Sequence, residues 1–202
     1  MFIEQPPWIY RAIFRGSIWR IPEKEKCVYL TFDDGPIPEI TPWVLDILDI
    51  HGVKATFFCV GDNVHKYPDI FQQVLERGHR VGNHTYNHVQ GIRFQTKNYL
   101  KNIEKAAGFI HSDLFRPPHG HMRLAQLHAL RQKYKVIMWD VITRDYSPHM
   151  TAQDVLNVVK KYTRNGSIIV FHDSLKAVER IKTALPQSIE WLLDEGYQLK
   201  LL

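Results

Sequence analysis

The stretch Val28-Tyr29-Leu30-Thr31-Phe32-Asp33-Asp34-Gly35-Pro36 decides the fold. Val, Tyr, Thr and Phe favour a pleated strand, and Gly-Pro ends it. Two carboxylates therefore stand together at the carboxyl end of a strand. Nothing in folding asks for adjacent like charges there. They cost stability unless a cation or a shared proton compensates. Consecutive strand residues point to opposite faces, so the two acids can do different work.

Outward from this stretch, strand-like and helix-like segments alternate. Strands are expected at 27–32, 55–60, 79–82, 114–116, 135–139, 167–172 and 198–201. Helices are expected at 39–51, 68–77, 97–111, 123–133, 151–163 and 186–194, with Pro68 and Pro186 in first turns and Gly52, Gly78, Gly166 and Gly196 just past the ends. This alternation implies parallel strands joined by helical crossovers. No glycine-rich nucleotide loop follows the first strand. A chain of 202 residues is shorter than the roughly 250 residues of a full eight-fold barrel. The expected fold class is α/β, a distorted (β/α) barrel with about seven parallel strands.

The bulk properties are those of one globular domain, with 45% hydrophobic and 23% charged residues. The net charge of +5 comes from Lys and Arg scattered along the chain, which reads as a solvated basic surface and implies no nucleic-acid partner. Cys27 and Cys59 fall near opposite ends of two strands, too far apart to bridge, and read as buried thiols. No stretch approaches the roughly 20 apolar residues of a membrane span. Glu4, Pro6-Pro7, Arg11 and Arg15 interrupt any signal-like run. Read literally, the chain is cytoplasmic or lies at a membrane periphery. Residues 8–20 mix aromatic and basic side chains. The segment 1–26 is expected to pack on the domain or to lie on a membrane surface, with 27–202 as the catalytic domain.

The unusual polar residues share one location. Asp33 and Asp34 follow the first strand, and His84 and His88 follow the third. Arg116 ends the short fourth strand. Asp140 and Asp145 follow Trp139, and His172 and Asp173 follow the apolar run 168–171. In a parallel α/β barrel these positions share the C-terminal mouth, where active sites form. In His84-Thr85-Tyr86-Asn87-His88 the two imidazoles are four apart, the spacing of one face of a helical turn. A chain with 11 His yields such pairs by accident, but Asp34 nearby completes a set of two His and one carboxylate. That set suits catalytic zinc and also a non-haem iron site. Asp33 is placed to take a proton from the metal's water, and Arg116 to hold Asp33 ionised through a two-pronged contact. His172, in dry surroundings, suits protonation of a leaving group. Asp145 or Asp140 would orient it and raise its pKa.

These motifs together resemble the polysaccharide deacetylases of carbohydrate esterase family 4, the nodulation-protein-B-like domain. Thr31-Phe32-Asp33-Asp34-Gly35, His84-Thr85-Tyr86-Asn87-His88, Arg116-Pro117-Pro118-His119-Gly120, the stretch 139–146 and Val170-Phe171-His172-Asp173 fall in the family's order. The resemblance implies metal-dependent removal of N-acetyl or O-acetyl groups from a carbohydrate, such as an N-acetylglucosamine-containing glycan. It implies Asp33 as base and Asp34, His84 and His88 as ligands of one divalent ion, zinc first, with Co, Ni or Mn as substitutes. It further implies His172 as acid, Arg116 orienting Asp33, and Asp145 supporting His172. Substrate and oxyanion contacts would come from His119, Pro118 and Trp139. His119 stands where the family usually has tyrosine, Ile142 where many members have an acid, and Tyr146 where tryptophan is common. The other readings are a non-catalytic carbohydrate-binding relic of the same fold, a deacylase of a lipid-linked aminosugar, and an iron-dependent oxygenase using the same three ligands.

Overall fold

The computed structural model describes residues 4–202; the first three residues of the 1–26 segment lie outside the described residues. In chain order the elements are α1 (Trp8–Ile13), β1 (Cys27–Asp33), α2 (Thr41–Ile50), β2 (Thr56–Cys59), α3 (Gly61–Lys66), α4 (Pro68–Glu76), β3 (Arg80–Asn83), α5 (Thr96–Ala107), β4 (Leu114–Phe115), α6 (Leu124–Leu130), β5 (Lys135–Val136), β6 (Val141–Ile142), α7 (Ala152–Tyr162), β7 (Ser167–His172), α8 (Val178–Asp194) and β8 (Gln198–Leu199). The strands run parallel in the order β5-β4-β3-β2-β1-β7-β6, curled into a half-barrel, and β8 pairs with the start of β1. The expected (β/α) barrel architecture is therefore present.

Strand β1 is buried throughout and shows why the alternation matters. Val28, Leu30 and Phe32 join the layer between sheet and helices, with Leu45, Leu48, Leu185 and Ile189. Cys27 and Tyr29 instead join Phe58, Leu114, Ile137 and Ile168 in a second cluster. Thr31 and Asp33 continue the Cys27–Tyr29 row, so the first carboxylate belongs to the inner face. Its register partner on β7 is His172. Cys27 and Cys59 are both free and buried.

The ring of strands is not closed by β5 and β6. Ile18 bridges to Ile137 and Arg20 to Ser167, so the chain before β1 crosses that gap. Phe14 and Trp19 are buried there against Leu127, Leu130 and Met138.

Several local expectations need correction. Pro186 does not start a helix: it lies inside α8, which begins eight residues earlier at Val178. The proline costs a helical hydrogen bond, but Ile181, Ala184, Leu185, Ile189 and Leu192 are fully buried on either side of it and keep the helix continuous. The strand expected over 135–139 shortens to β5, and a separate β6 follows after Asp140. Helix α3 had no expected counterpart. His84 to His88 is not a helical turn either. Thr85 and His88 both have positive φ, 65° and 52°, and the segment is an irregular loop after β3.

Candidate active site

A cleft of about 480 Å³ opens at the carboxyl ends of the strands, lined by residues that include Asp33, Asp34, His84, His88, His119, Trp139 and His172. Side chains from β1, β3, β7 and their following loops meet in it because parallel strands all end on one face.

Asp34 leaves β1 with φ 86°, a left-handed conformation unusual for a non-glycine residue. The turn is pinned from several sides. Asn63 Nδ2 donates to the Asp34 carbonyl at 2.8 Å. The next N–H, of Gly35, donates to the buried Asp173 carboxylate at 3.1 Å, whose other oxygen accepts from Thr41 Oγ1 at 2.6 Å. A Cβ on Gly35 would lie 1.9 Å from Asp173 Oδ2, so only glycine fits. Burial, with the nearby Asp34 charge, pushes the Asp173 carboxyl up to about 8.

The loop after β3 is fixed in the same manner. Asn83 Oδ1 accepts the Thr85 N–H at 2.9 Å, and Asn102 Oδ1 accepts the Tyr86 and Asn87 N–H groups. Thr85 Oγ1 accepts from Val89 N at 3.1 Å. The outcome is that His84 and His88 converge on Asp34 through loop geometry rather than helical periodicity. His88 Nε2 lies 3.0 Å and His84 Nε2 3.8 Å from Asp34 Oδ1. One donor atom from each of the three residues lies within 4.8 Å of the others.

The chemistry of these donors fits a divalent ion. His84 Nδ1 lies 2.8 Å from the Arg116 carbonyl oxygen, so Nδ1 carries the proton and Nε2 presents its lone pair, the arrangement typical of a metal-ligating histidine. Burial holds the His84 pKa down at about 4, despite the opposing charge of Asp33, so the ring is neutral at pH 7. Burial works against ionisation of Asp34. The hydrogen bond from His88 and the charge of His172 outweigh it and hold Asp34 well below the usual carboxylate range.

Asp33 points to the other side of the chain, into the barrel. Arg116 Nη1 donates to Asp33 Oδ1 at 2.6 Å and to Thr31 Oγ1 at 2.9 Å, and Nη2 donates to the Met138 carbonyl at 3.1 Å. The expected two-pronged grip is therefore a single prong, because Nη1 is shared with Thr31, Nη2 is spent on the Met138 carbonyl, and Nε is buried without a hydrogen-bond partner among the described residues. Arg116 is fully buried, its guanidinium carbon 4.0 Å from the Phe58 ring centroid.

His172 is held by Asp145 alone. Asp145 Oδ1 lies 2.7 Å from His172 Nδ1, and Asp145 Oδ2 accepts the His172 backbone N–H at 2.7 Å. Burial would lower the His172 pKa, but the charge and hydrogen bond of Asp145 overcome it and raise the group to about 9. Asp140 plays no part here. It is buried among Arg11, Arg164 and Ser167 at 2.7–2.9 Å, tying the N-terminal segment to β7. The choice between them is made by β6. Val141 and Ile142 pair with β7, Thr143 bonds twice to the Val170 carbonyl, and Arg144 takes φ 60°. That turn brings Asp145 back against His172.

His119 lies on the cleft wall with its ring 4.8 Å from that of His88, and burial lowers its pKa to about 4. His119 and Gly120 have consecutive left-handed φ values of 58° and 69°. A Cβ on Gly120 would lie 2.4 Å from the Trp139 ring, so Trp139 lines the cleft and also seats this loop. Pro118, expected at the substrate, is buried in the turn that carries His119 and is not among the residues lining the cleft. Other cleft-lining residues were not assigned contacts from the sequence: His121, Arg144 and Lys176. Tyr146 stands edge-on to His172, ring centroids 4.8 Å apart. Of these four, only Tyr146 stands out in the sequence, at a place where the family commonly has tryptophan.

With this geometry in place, comparison with known proteins is informative. A family model described as polysaccharide deacetylase matches residues 20–139. That span includes Asp33, Asp34, His84, His88 and Arg116, and ends before Asp145 and His172. A peptidoglycan-N-acetylglucosamine deacetylase of Bacillus cereus is 32% identical over 188 residues, 89% of this chain and 88% of that protein. A chitooligosaccharide deacetylase of Azorhizobium caulinodans is 33% identical over 167 residues, 78% of this chain and 79% of that protein. The crystal structure of the Bc1960 peptidoglycan N-acetylglucosamine deacetylase, in complex with 4-naphthalen-1-yl-N-oxidanyl-benzamide, aligns at TM-score 0.85 and 31% identity, covering 93% of this chain and 91% of that one. The chain belongs to the polysaccharide deacetylase family.

Proposed function

We propose that this chain is a metal-dependent hydrolase that removes N-acetyl groups from an N-acetylglucosamine-containing carbohydrate. The observation that carries this reading is the pairing, at one register position of β1 and β7, of Asp33 with His172 beside the Asp34–His84–His88 cluster. The relatives are a peptidoglycan-N-acetylglucosamine and a chitooligosaccharide deacetylase, which supports an acetylated aminosugar as substrate.

Asp34, His84 and His88 would hold the ion, zinc being the first candidate for a neutral-imidazole and carboxylate set. When bound, such an ion supplies water of lowered pKa and polarises a carbonyl oxygen. Asp33, positioned by the Arg116 guanidinium at 2.6 Å, accepts the proton of the attacking water. The backbone N–H of His119 would donate to the oxyanion oxygen that develops at the acetyl carbonyl. His172, protonated at neutral pH by virtue of Asp145, passes a proton to the sugar nitrogen as the C–N bond breaks. An acetamide needs that last step, because an unprotonated amide nitrogen is a poor leaving group. An O-acetyl ester needs it less, so the raised His172 pKa favours the amide.

The test is acetate release from chitin oligomers, peptidoglycan fragments, acetylxylan and lipid-linked aminosugars, with zinc, cobalt, nickel or manganese supplied. Release from the N-acetylated substrates is expected. Binding of these sugars without acetate release under any metal would replace the enzyme with a carbohydrate-binding relic. Oxygen consumption would replace it with the oxygenase.

A further inference from the structure

Six of the eleven exposed large apolar side chains among the described residues are Trp8 (76% exposed), Ile9, Ile13, Ile92, Phe94 and Leu124. They come from three separate stretches of chain, 5–22, 89–103 and 114–139. None of these stretches contains an Asp or a Glu. The fold brings the three together. Tyr10 Oη donates to the Gly120 carbonyl at 2.8 Å. Gly91 N donates to the His121 carbonyl at 2.9 Å, and Arg123 donates twice to the Ile92 carbonyl. Farther along, the Arg131 guanidinium packs over Gly16, and Phe14 lies in one cluster with Leu127 and Leu130. So α1, the 91–94 turn and α6 form one flank, adjoining the rim of the cleft at His119 and His121.

The same flank carries exposed Arg15, Arg93, Arg123, Arg131 and Lys133. None of these five pairs with a carboxylate among the described residues, whereas Arg11 and Lys135 are spent on Asp140 and Asp113. Apolar side chains are thus interspersed with cations that pair with no carboxylate among the described residues, on stretches of chain that carry no acid of their own; acids bordering them include Glu104, near Tyr134, and Asp113, paired with Lys135.

We propose that this flank docks on an anionic lipid bilayer, with Trp8, Ile9 and Ile13 at headgroup level and the surrounding cations on lipid phosphates. An indole and branched aliphatics beside cations are the combination an interfacial segment uses. A second copy of the chain fits poorly, because self-association would press cation against cation. A soluble polyanion would satisfy the charges and leave the indole and isoleucines in water. The proposal is independent of the deacetylation reading: either can fail alone.

The experiment is co-sedimentation of the full chain with vesicles of phosphatidylcholine alone and of phosphatidylcholine mixed with phosphatidylglycerol. Binding at least about tenfold stronger on the anionic vesicles is expected, given the contribution of each basic residue near such a surface. Added salt should weaken it. The triple variant Trp8→Ser, Ile9→Ser, Ile13→Ser should lose this binding while keeping acetate release from soluble substrates. A second variant, Arg15→Ser with Arg131→Ser, should reduce the preference for anionic vesicles and guards against misfolding of the first. Equal binding to both vesicle types, no binding, or wild-type binding by both variants would overturn the proposal. So would a concentration-dependent dimer that the triple variant dissolves, which would assign the flank to a second copy.

Discussion

Two buried ion pairs flank the cleft, and they are built in opposite senses. On the β1 side the carboxylate of Asp33 faces the cleft and the cation, Arg116, is fully buried behind it. On the β7 side the imidazole of His172 faces the cleft and the carboxylate, Asp145, is fully buried behind it. In each pair the hidden member positions the exposed one, and on the β7 side Asp145 also raises the His172 pKa to about 9. A buried ion pair is costly to build and gives uncertain net stability. Two of them at one strand-end position, one presenting a carboxylate and one an imidazole, match the base and acid of the proposed reaction.

The comparison can be broken most severely at Asp33. Asp33→Asn should leave metal content unchanged and lower kcat by about a thousandfold or more, within the range for loss of a positioned general base. Elemental analysis beside a turnover assay checks this, and a fully active variant removes Asp33 from its role. His84→Ala, by contrast, should lose bound metal and activity together. Arg116→Met attacks the hidden member instead. It strands Asp33 without its partner and should cost about 3–5 kcal/mol of stability by denaturant unfolding.

On the other side, Asp145→Asn removes the charge that keeps His172 protonated. In the wild type the His172 pKa is raised to about 9. Activity that needs the protonated ring should therefore be retained below that value and fall as pH rises through it. Stability follows the same sign. The contribution from this pair is complete below the ordinary histidine value of about 6.5 and is lost as pH passes through about 9. Asp145→Asn should move the alkaline limb of kcat to lower pH and reduce the maximum by about a hundredfold. An unmoved limb would mean that another group sets it. The smallest effect belongs to Asp140→Asn. This residue is also a buried aspartate, but its partners are Arg11, Arg164 and Ser167. It should lower the melting temperature and leave the pH profile in place.

Asp140 and Asp145 show where reading the residues one by one stops. Both follow Trp139 and either suited His172; only the resemblance of the motifs singled out Asp145. The decision lies in a two-residue strand and one left-handed Arg144, features too short to produce a periodic pattern. His84 and His88 are a different case. Their spacing suggested that both approach one point, which they do beside Asp34, but through a loop held by Asn83 and Asn102 and not through helical bonds. Pro186 misled in the ordinary manner: a proline is a local signal, and burial on both sides overrode it.

From the residues alone came the alternation of strands and helices, the barrel class, and the gathering of carboxylates and imidazoles at strand ends. Apolar periodicity and Gly/Pro punctuation are local, and parallel topology then places every strand end on one face. The tertiary structure alone decided that Asp140 turns away from His172 to Arg11 and Arg164, that Arg116 grips Asp33 by one prong from inside the barrel, and that the chain before β1 crosses the gap between strands. Those outcomes depend on left-handed backbone turns and on contacts between residues more than a hundred positions apart, such as Arg11 with Asp140. No neighbouring residue in the sequence encodes them.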